Sequence, residues 1–368
     1  MSMINQDRLI EHFIDIVKID SESGDEKAIS EALAEQLAQI GFAVEKLAVP
    51  QELSNGFNIY AKLPGTLPGS VVLSCHMDTV TPGIGIEPVI EGDIIRSAGE
   101  TILGGDDKSG ISAIIEAVRS IKEAGAEHQT IELAFTVFEE GGLHGSRQFD
   151  MSKIESRDAI VFDSGGEIGT IITVAPGQQN MKVTITGRPA HAGLAPEEGI
   201  NALTVAATAI SQMNLSRIDK ETTANIGVVH GGLATNIVMP ELKLEAEARS
   251  LDDDKLAAQV EHMTTTFEAA AKEHGAEIEI ISSRAYNAFR IADTDPLVQK
   301  IMAAFEANGV APFTDSTGGG SDANIFNGKG LKTVNLSTGM AKVHTTEEFI
   351  KISDMVKITD FLYTYLTR

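Results

Sequence analysis

The chain has 368 residues, 42% of them hydrophobic and 22% charged, which is enough for two domains with separate cores. A formal net charge of −24 argues against nucleic acid and anionic membrane surfaces as partners, since both need clustered Lys and Arg. A single cysteine excludes an intramolecular disulfide and a thiolate zinc cluster, so any metal must be held by His and carboxylates.

The chain opens on Asp7, Arg8, Glu11 and Asp15 among its apolar residues, not on an apolar leader core, and no apolar run is long enough to span a bilayer. The expectation is a cytoplasmic protein. Leu9, Ile10, Phe13, Ile16 and Val17 repeat at helical spacing, as do Ile29, Leu33, Leu37 and Ile40 before a stop at Gly41. Residues 42–47 and 57–63 alternate like strands, and Pro64-Gly65 turns the chain toward the apolar run 71–75. A hairpin is expected over 87–96, a helix over 109–124, and strands over 130–138 and 159–162. Strands alternating with helices predict an α/β layer with a mostly parallel sheet flanked by helices.

From about residue 179 the order becomes strand 181–186, helix 202–213, strands 224–230 and 242–249, helix 254–274 and strand 276–281. That βαββαβ sequence is the ferredoxin-like split unit. It predicts an inserted domain over 177–289, with residues 1–176 and 290–368 forming the first domain. The latter segment is expected to hold a helix over 296–307, a strand near Val334 and a helix over 347–366.

Chemistry concentrates where strands end. His76 and Asp78 close the apolar run two residues apart, so they emerge on one face of the strand while Cys75 and Met77 turn away. Three acidic loops follow: Gly104-Gly105-Asp106-Asp107-Lys108, Phe138-Glu139-Glu140-Gly141-Gly142 and Phe162-Asp163-Ser164-Gly165-Gly166. Val343-His344-Thr345-Thr346-Glu347-Glu348 adds a second imidazole. Each has a plain alternative, because Asp107 or Ser109 could cap a helix and Thr345-Thr346-Glu347-Glu348 resembles a helix start. Together, in a chain without a disulfide or cofactor motif, they suit a cluster of His and carboxylate metal ligands. Neither His-Glu-x-x-His nor Gly-x-Ser-x-Gly occurs.

The order His76-x-Asp78, Asp106, Glu139-Glu140, Asp163, His344 resembles the two-zinc family of peptidase T, glutamate carboxypeptidases and aminoacylases, over essentially the whole chain. The resemblance implies a catalytic metal-binding domain with an inserted lid and dimerisation domain. It implies two Zn²⁺ per subunit, with Co²⁺ or Mn²⁺ as substitutes. His76 and Asp163 would hold one ion, Glu140 and His344 the other, and Asp106 would lie between them. Asp78 would orient His76, Glu139 would be the general base, and the Asp106–Asp107 peptide would be cis. His191, Asn236 and Arg249 in the inserted domain, together with the Gly318-Gly319-Gly320 loop and Gly319 in particular, would bind substrate. Members acting on free amino termini tend to carry Asp at the position of Asp163. The expected activity is therefore peptidase T-like removal of the N-terminal residue from short peptides by a homodimer. A carboxypeptidase or N-acyl-amino-acid deacylase, and a non-catalytic metal-binding scaffold, are the alternatives.

Overall fold

The computed structural model describes residues 3–368. Contacts divide the chain into two compact units. The first runs through Thr173 and resumes over Arg290–Ser316 and Ser321–Arg368; the second comprises Val174–Phe289 and Thr317–Gly320.

The first unit is built on a nine-stranded mixed sheet. Its four central strands, in the order Thr130–Thr136, Ser70–His76, Asp158–Ser164 and Lys332–Ser337, are parallel. The strands Ala43–Ala48 and Phe57–Leu63 on one side, and Thr170–Ala175 on the other, join antiparallel. The parallel centre reads as continuous apolar sequence because helices cover both its faces: Val71, Val72, Leu73, Ile131, Leu133, Ile160 and Val334 are all fully buried. The helix Gln6–Val17 buries Leu9, Phe13, Ile16 and Val17, the face its periodicity predicts, and Asn5 caps it by accepting from the Arg8 N–H at 3.1 Å. Helix Pro296–Ala307 packs on Ile352–Leu366 through stacked Phe305 and Phe361 rings, 3.9 Å between centroids.

Two sequence expectations shift. The helix expected over 347–366 begins only at Ile352, because Phe349–Lys351 pairs antiparallel with Ile94–Ser97, itself paired with Pro88–Glu91. The capping signal at Thr345–Glu348 is local, whereas an aromatic and β-branched pair facing an open strand edge gains more as a strand. Ile95 and Ile350 of this small sheet belong to a cluster with Phe13, Ile86, Ile102, Leu103 and Met340, against which Val343 also packs, so residues flanking both Asp106 and His344 are tied to one core. The helix expected from Ser109 begins at Gly105 and is interrupted at once, since Asp106 and Asp107 lack helical φ/ψ. The Asp106–Asp107 peptide is cis.

The second unit has the expected split-unit topology, with strand order Thr222–Gly231, Glu241–Ser250, Gly177–Thr186 and Glu277–Tyr286, every pair antiparallel. Helices Ala202–Gln212 and Asp253–His274 cover one face, burying Val183, Ile185, Leu244 and Phe267. No helix among the described residues is long and apolar enough to cross a membrane.

His12 gives the first unit a pH-dependent stability. Its Nε2 donates to Gln36 Oε1 at 2.9 Å, its Nδ1 accepts from Ser112 Oγ at 3.0 Å, and burial pushes the imidazole down to about 4. In the unfolded chain the same group titrates near 6.5, so below that pH only the unfolded state takes up the proton. Stability from this group is complete above about pH 6.5 and is lost as pH falls to about 4, by about 3 kcal/mol in all. Urea midpoints measured across that window should fall in the native protein and fall less in His12→Gln.

Candidate active site

The three parallel strands Ser70–His76, Thr130–Thr136 and Asp158–Ser164 end at one edge, where open α/β sheets place their ligands. His76 is the last residue of its strand and 2% exposed. Its Nδ1 donates to the Asp78 carbonyl oxygen at 2.9 Å, which fixes the tautomer and aims Nε2 into the cluster. The Asp78 carboxylate is farther off, with Oδ1 3.5 Å from His76 Nδ1. It instead accepts from the Glu139 N–H (2.9 Å), the Glu140 N–H (3.2 Å) and Ser23 Oγ (2.6 Å). Asp78 thus orients His76 through its main chain, while its side chain holds the Glu139–Glu140 loop.

Asp106 lies between the two imidazoles. Its Oδ1 is 3.0 Å from His76 Nε2 and its Oδ2 is 3.3 Å from His344 Nε2. His344 Nε2 is also 2.9 Å from Glu140 Oε1, and Asp163 Oδ1 lies 4.0 Å from His76 Nε2. Ligand atoms of His76, Asp106 and Glu140 all fall within 4.8 Å of one another, as do those of His76, Glu139 and Asp163. The structure therefore gathers all seven catalytic-domain candidates, with Glu139 as close to the cluster as the proposed ligands are.

The electrostatics of this edge call for cations. Burial pushes the Glu139 and Asp163 carboxyls well above their usual range, and Glu140 up as well, with neighbouring carboxylates adding to each. Burial also works against Asp106, but hydrogen bonds from His344 and His76 outweigh it and hold this carboxyl below its usual range. Hydrogen bonds to Asp106 and Glu140 raise His344 to about 10. Lys108 is fully buried, donates to the Ile19 carbonyl at 3.1 Å and is lowered to about 8 by burial. Buried carboxylates crowded in this way cannot all ionise beside two imidazoles alone, and divalent cations remove the conflict. The donor set of two imidazoles and several carboxylates, with one carboxylate reaching both imidazoles, fits a pair of such ions.

Sequence reasoning missed the residues that hold the loops. Glu26 accepts from the Phe138 N–H at 2.9 Å, from Gly24 N–H at 3.0 Å and from Ser54 Oγ, so buried carboxylates receive the main-chain N–H groups of 138, 139 and 140 in turn. Glu348 does the same for the Asp106 loop. No periodicity marks either residue. Gly110 is needed for close approach, since a Cβ there would stand 2.7 Å from Asp107 Oδ1 and Cys75 Sγ and 2.8 Å from Phe162 Cβ.

The candidates in the second unit form two pairs. Ala192 donates its N–H to the Asn236 carbonyl at 3.0 Å, and His191 pairs with Ile237 as an isolated bridge, so the His191 and Asn236 loops run together. His191 Nδ1 accepts from the N–H groups of Gly193 and Leu194, both at 3.1 Å, which leaves Nε2–H as an exposed donor. Arg249 is held by Glu247 through Nε (3.0 Å) and a second guanidinium nitrogen (2.9 Å), and its remaining arm lies 3.5 Å from the Gly318 carbonyl, next to Gly319.

Fold and site together define a protein with a His and carboxylate cluster, suited to divalent cations, at the carboxyl ends of a parallel sheet. The second unit matches a family profile described as the peptidase dimerisation domain of the M20 group over residues 175–275, and residues 58–185 match a profile of peptidase family M28. The solved structure of the aminopeptidase PepT from Bacillus cereus is 41% identical, covering 99% of each chain with a TM-score of 0.91. A tripeptidase from Staphylococcus aureus is 37% identical over 99% of this chain and 98% of its own, with a TM-score of 0.96. The protein YqjE of Bacillus subtilis is 41% identical over 98% of both. The M28 match ends at residue 185, inside the first strand of the second unit, whereas these relatives are matched over nearly the full length of the chain. The chain belongs to the M20 family of metallopeptidases, in its peptidase T-like branch.

Proposed function

We propose that the protein removes the N-terminal residue from short peptides, with two zinc ions held by His76, Asp163, Asp106, Glu140 and His344. Such ions would supply a water acidic enough to be hydroxide at neutral pH and would polarise the scissile carbonyl. Glu139 would take the proton of that water and return it to the leaving amine. The observation that carries this reading is Asp106 standing within 3.3 Å of both imidazoles, with Glu139 beside the cluster.

The Nε2–H of His191 would serve as an oxyanion donor, with Asn236, Arg249 and Gly319 contacting the peptide. Arg249 already shares two hydrogen bonds with Glu247, so a substrate carboxylate would have to compete for it. That is a poor starting point for an enzyme whose substrates are defined chiefly by a free carboxylate.

A panel of free and N-acetylated di- and tripeptides tests the reading on zinc-loaded protein. Free tripeptides should lose their first residue and acetylated ones should stand unchanged; cleavage confined to blocked substrates would establish the carboxypeptidase or deacylase alternative. We further propose a homodimer formed through the second unit, supported by its match to a dimerisation domain. Light scattering on the same preparation should return twice the mass of the chain, and a monomer at assay concentration would reject the dimer.

A further inference from the structure

Glu348 follows His344 by four residues and is 1% exposed. Its side chain turns into the protein, where Oε2 accepts from the N–H groups of Leu103 (2.8 Å) and Gly104 (2.9 Å) and Oε1 accepts from that of Asp106 (3.1 Å). Gly104 adopts φ +74°, the left-handed conformation that lets successive N–H groups converge on one acceptor. One carboxylate thus fixes the main chain of the residue lying between the two imidazoles, across more than 240 positions of sequence.

The segment bearing His344 has one apolar contact with the core, through the partly buried Val343, and is otherwise largely exposed. The His344 side chain is 51% exposed, and its backbone sits at φ +62°, with Lys342 at +54°. Ala341 and Phe349 exchange N–H···O bonds of 3.0 and 3.1 Å, the Thr345 hydroxyl donates to the Lys342 carbonyl at 2.7 Å, and the Glu348 N–H donates to the Thr345 carbonyl at 3.1 Å. These bonds make a tight turn in which Val343 rests on the apolar cluster and Glu348 is the one fully buried side chain of residues 341–348. Packing cannot set an exposed imidazole to within a few tenths of an ångström, but a short turn tied to a buried three-bond clasp can.

We propose that Glu348 is a positioning residue that locks the Asp106 loop to the His344 turn and thereby sets the affinity of the metal position shared by Asp106, Glu140 and His344. The inference rests on the dinuclear reading given above. Charge-assisted bonds to main-chain N–H groups are stronger than neutral ones, and no neutral side chain can accept three of them without bringing its own donor against one.

The test is zinc binding to the full-length protein, followed by competition with a chromophoric chelator and by metal mass spectrometry, with thermal unfolding alongside. Wild type should bind two equivalents. Glu348→Gln should retain the tighter equivalent and bind the other about 10- to 100-fold more weakly, the usual cost of losing a group that orients a ligand. Glu347→Gln, which alters an exposed partner of Lys342, should bind both as wild type does. Glu348→Asp keeps the charge but is one methylene short of the three donors. It should weaken the same equivalent, and it decides the matter if E348Q does not fold. If E348Q or E348D unfolds at a lower temperature yet binds both equivalents with wild-type affinity, Glu348 serves stability alone and the proposal is overturned. A wild-type protein binding fewer than two equivalents would instead overturn the dinuclear reading, and this inference with it.

Discussion

Glu139→Gln is expected to lower kcat for free tripeptides by about 10²- to 10⁴-fold, the span over which a positioned general base contributes. The substitution is isosteric, and the Glu139 main-chain N–H would still donate to Asp78 Oδ1, so the loop should keep its shape. Metal content should therefore hold at the wild-type value and KM should change little, because what is removed is an interaction made in the transition state. Full activity in the variant would mean that another group moves the proton, and the mechanism would have to be abandoned.

Asp106→Asn should be as damaging, but through binding. Asp106 presents one oxygen to each imidazole, and no other described carboxylate lies as near to both. Neutralising it removes the negative charge shared by both positions and places an amide N–H₂ where one of two acceptors is needed. Losing an orienting neighbour typically costs 10- to 100-fold in metal affinity, so losing the shared ligand should cost at least about 100-fold. Purified variant should contain less than one equivalent of metal and show no hydrolysis, and a strong chelator should bring wild type to the same state. Retention of two equivalents by Asp106→Asn would remove Asp106 from the centre of the site.

Much of this was legible in the sequence, for reasons that differ by element. The parallel centre announced itself because buried strands need unbroken apolar runs, and the split unit because its six elements alternate cleanly between two periods. The ligand candidates could be read because carboxylates and imidazoles at strand ends are few and have little structural purpose there. The supporting residues could not be read. Glu26 and Glu348 are acids in acidic surroundings, and only the folded chain reveals that each turns inward to collect main-chain N–H groups from a distant loop. The role of Asp78 was visible only in part, since spacing placed it beside His76 but could not tell a carbonyl contact from a carboxylate one. Phe349–Lys351 was misjudged because its strand partner lies some 250 residues earlier.

The clasp between residue 348 and the loop at 103–106 also orders events during biosynthesis. Domains generally fold from the N-terminus as the chain emerges from the ribosome. The first imidazole and all the acidic loops are made early, yet the second imidazole and its anchor arrive only after the whole second unit has been translated. A chain ending before residue 344 would lack both the second imidazole and the carboxylate that holds the Asp106 loop.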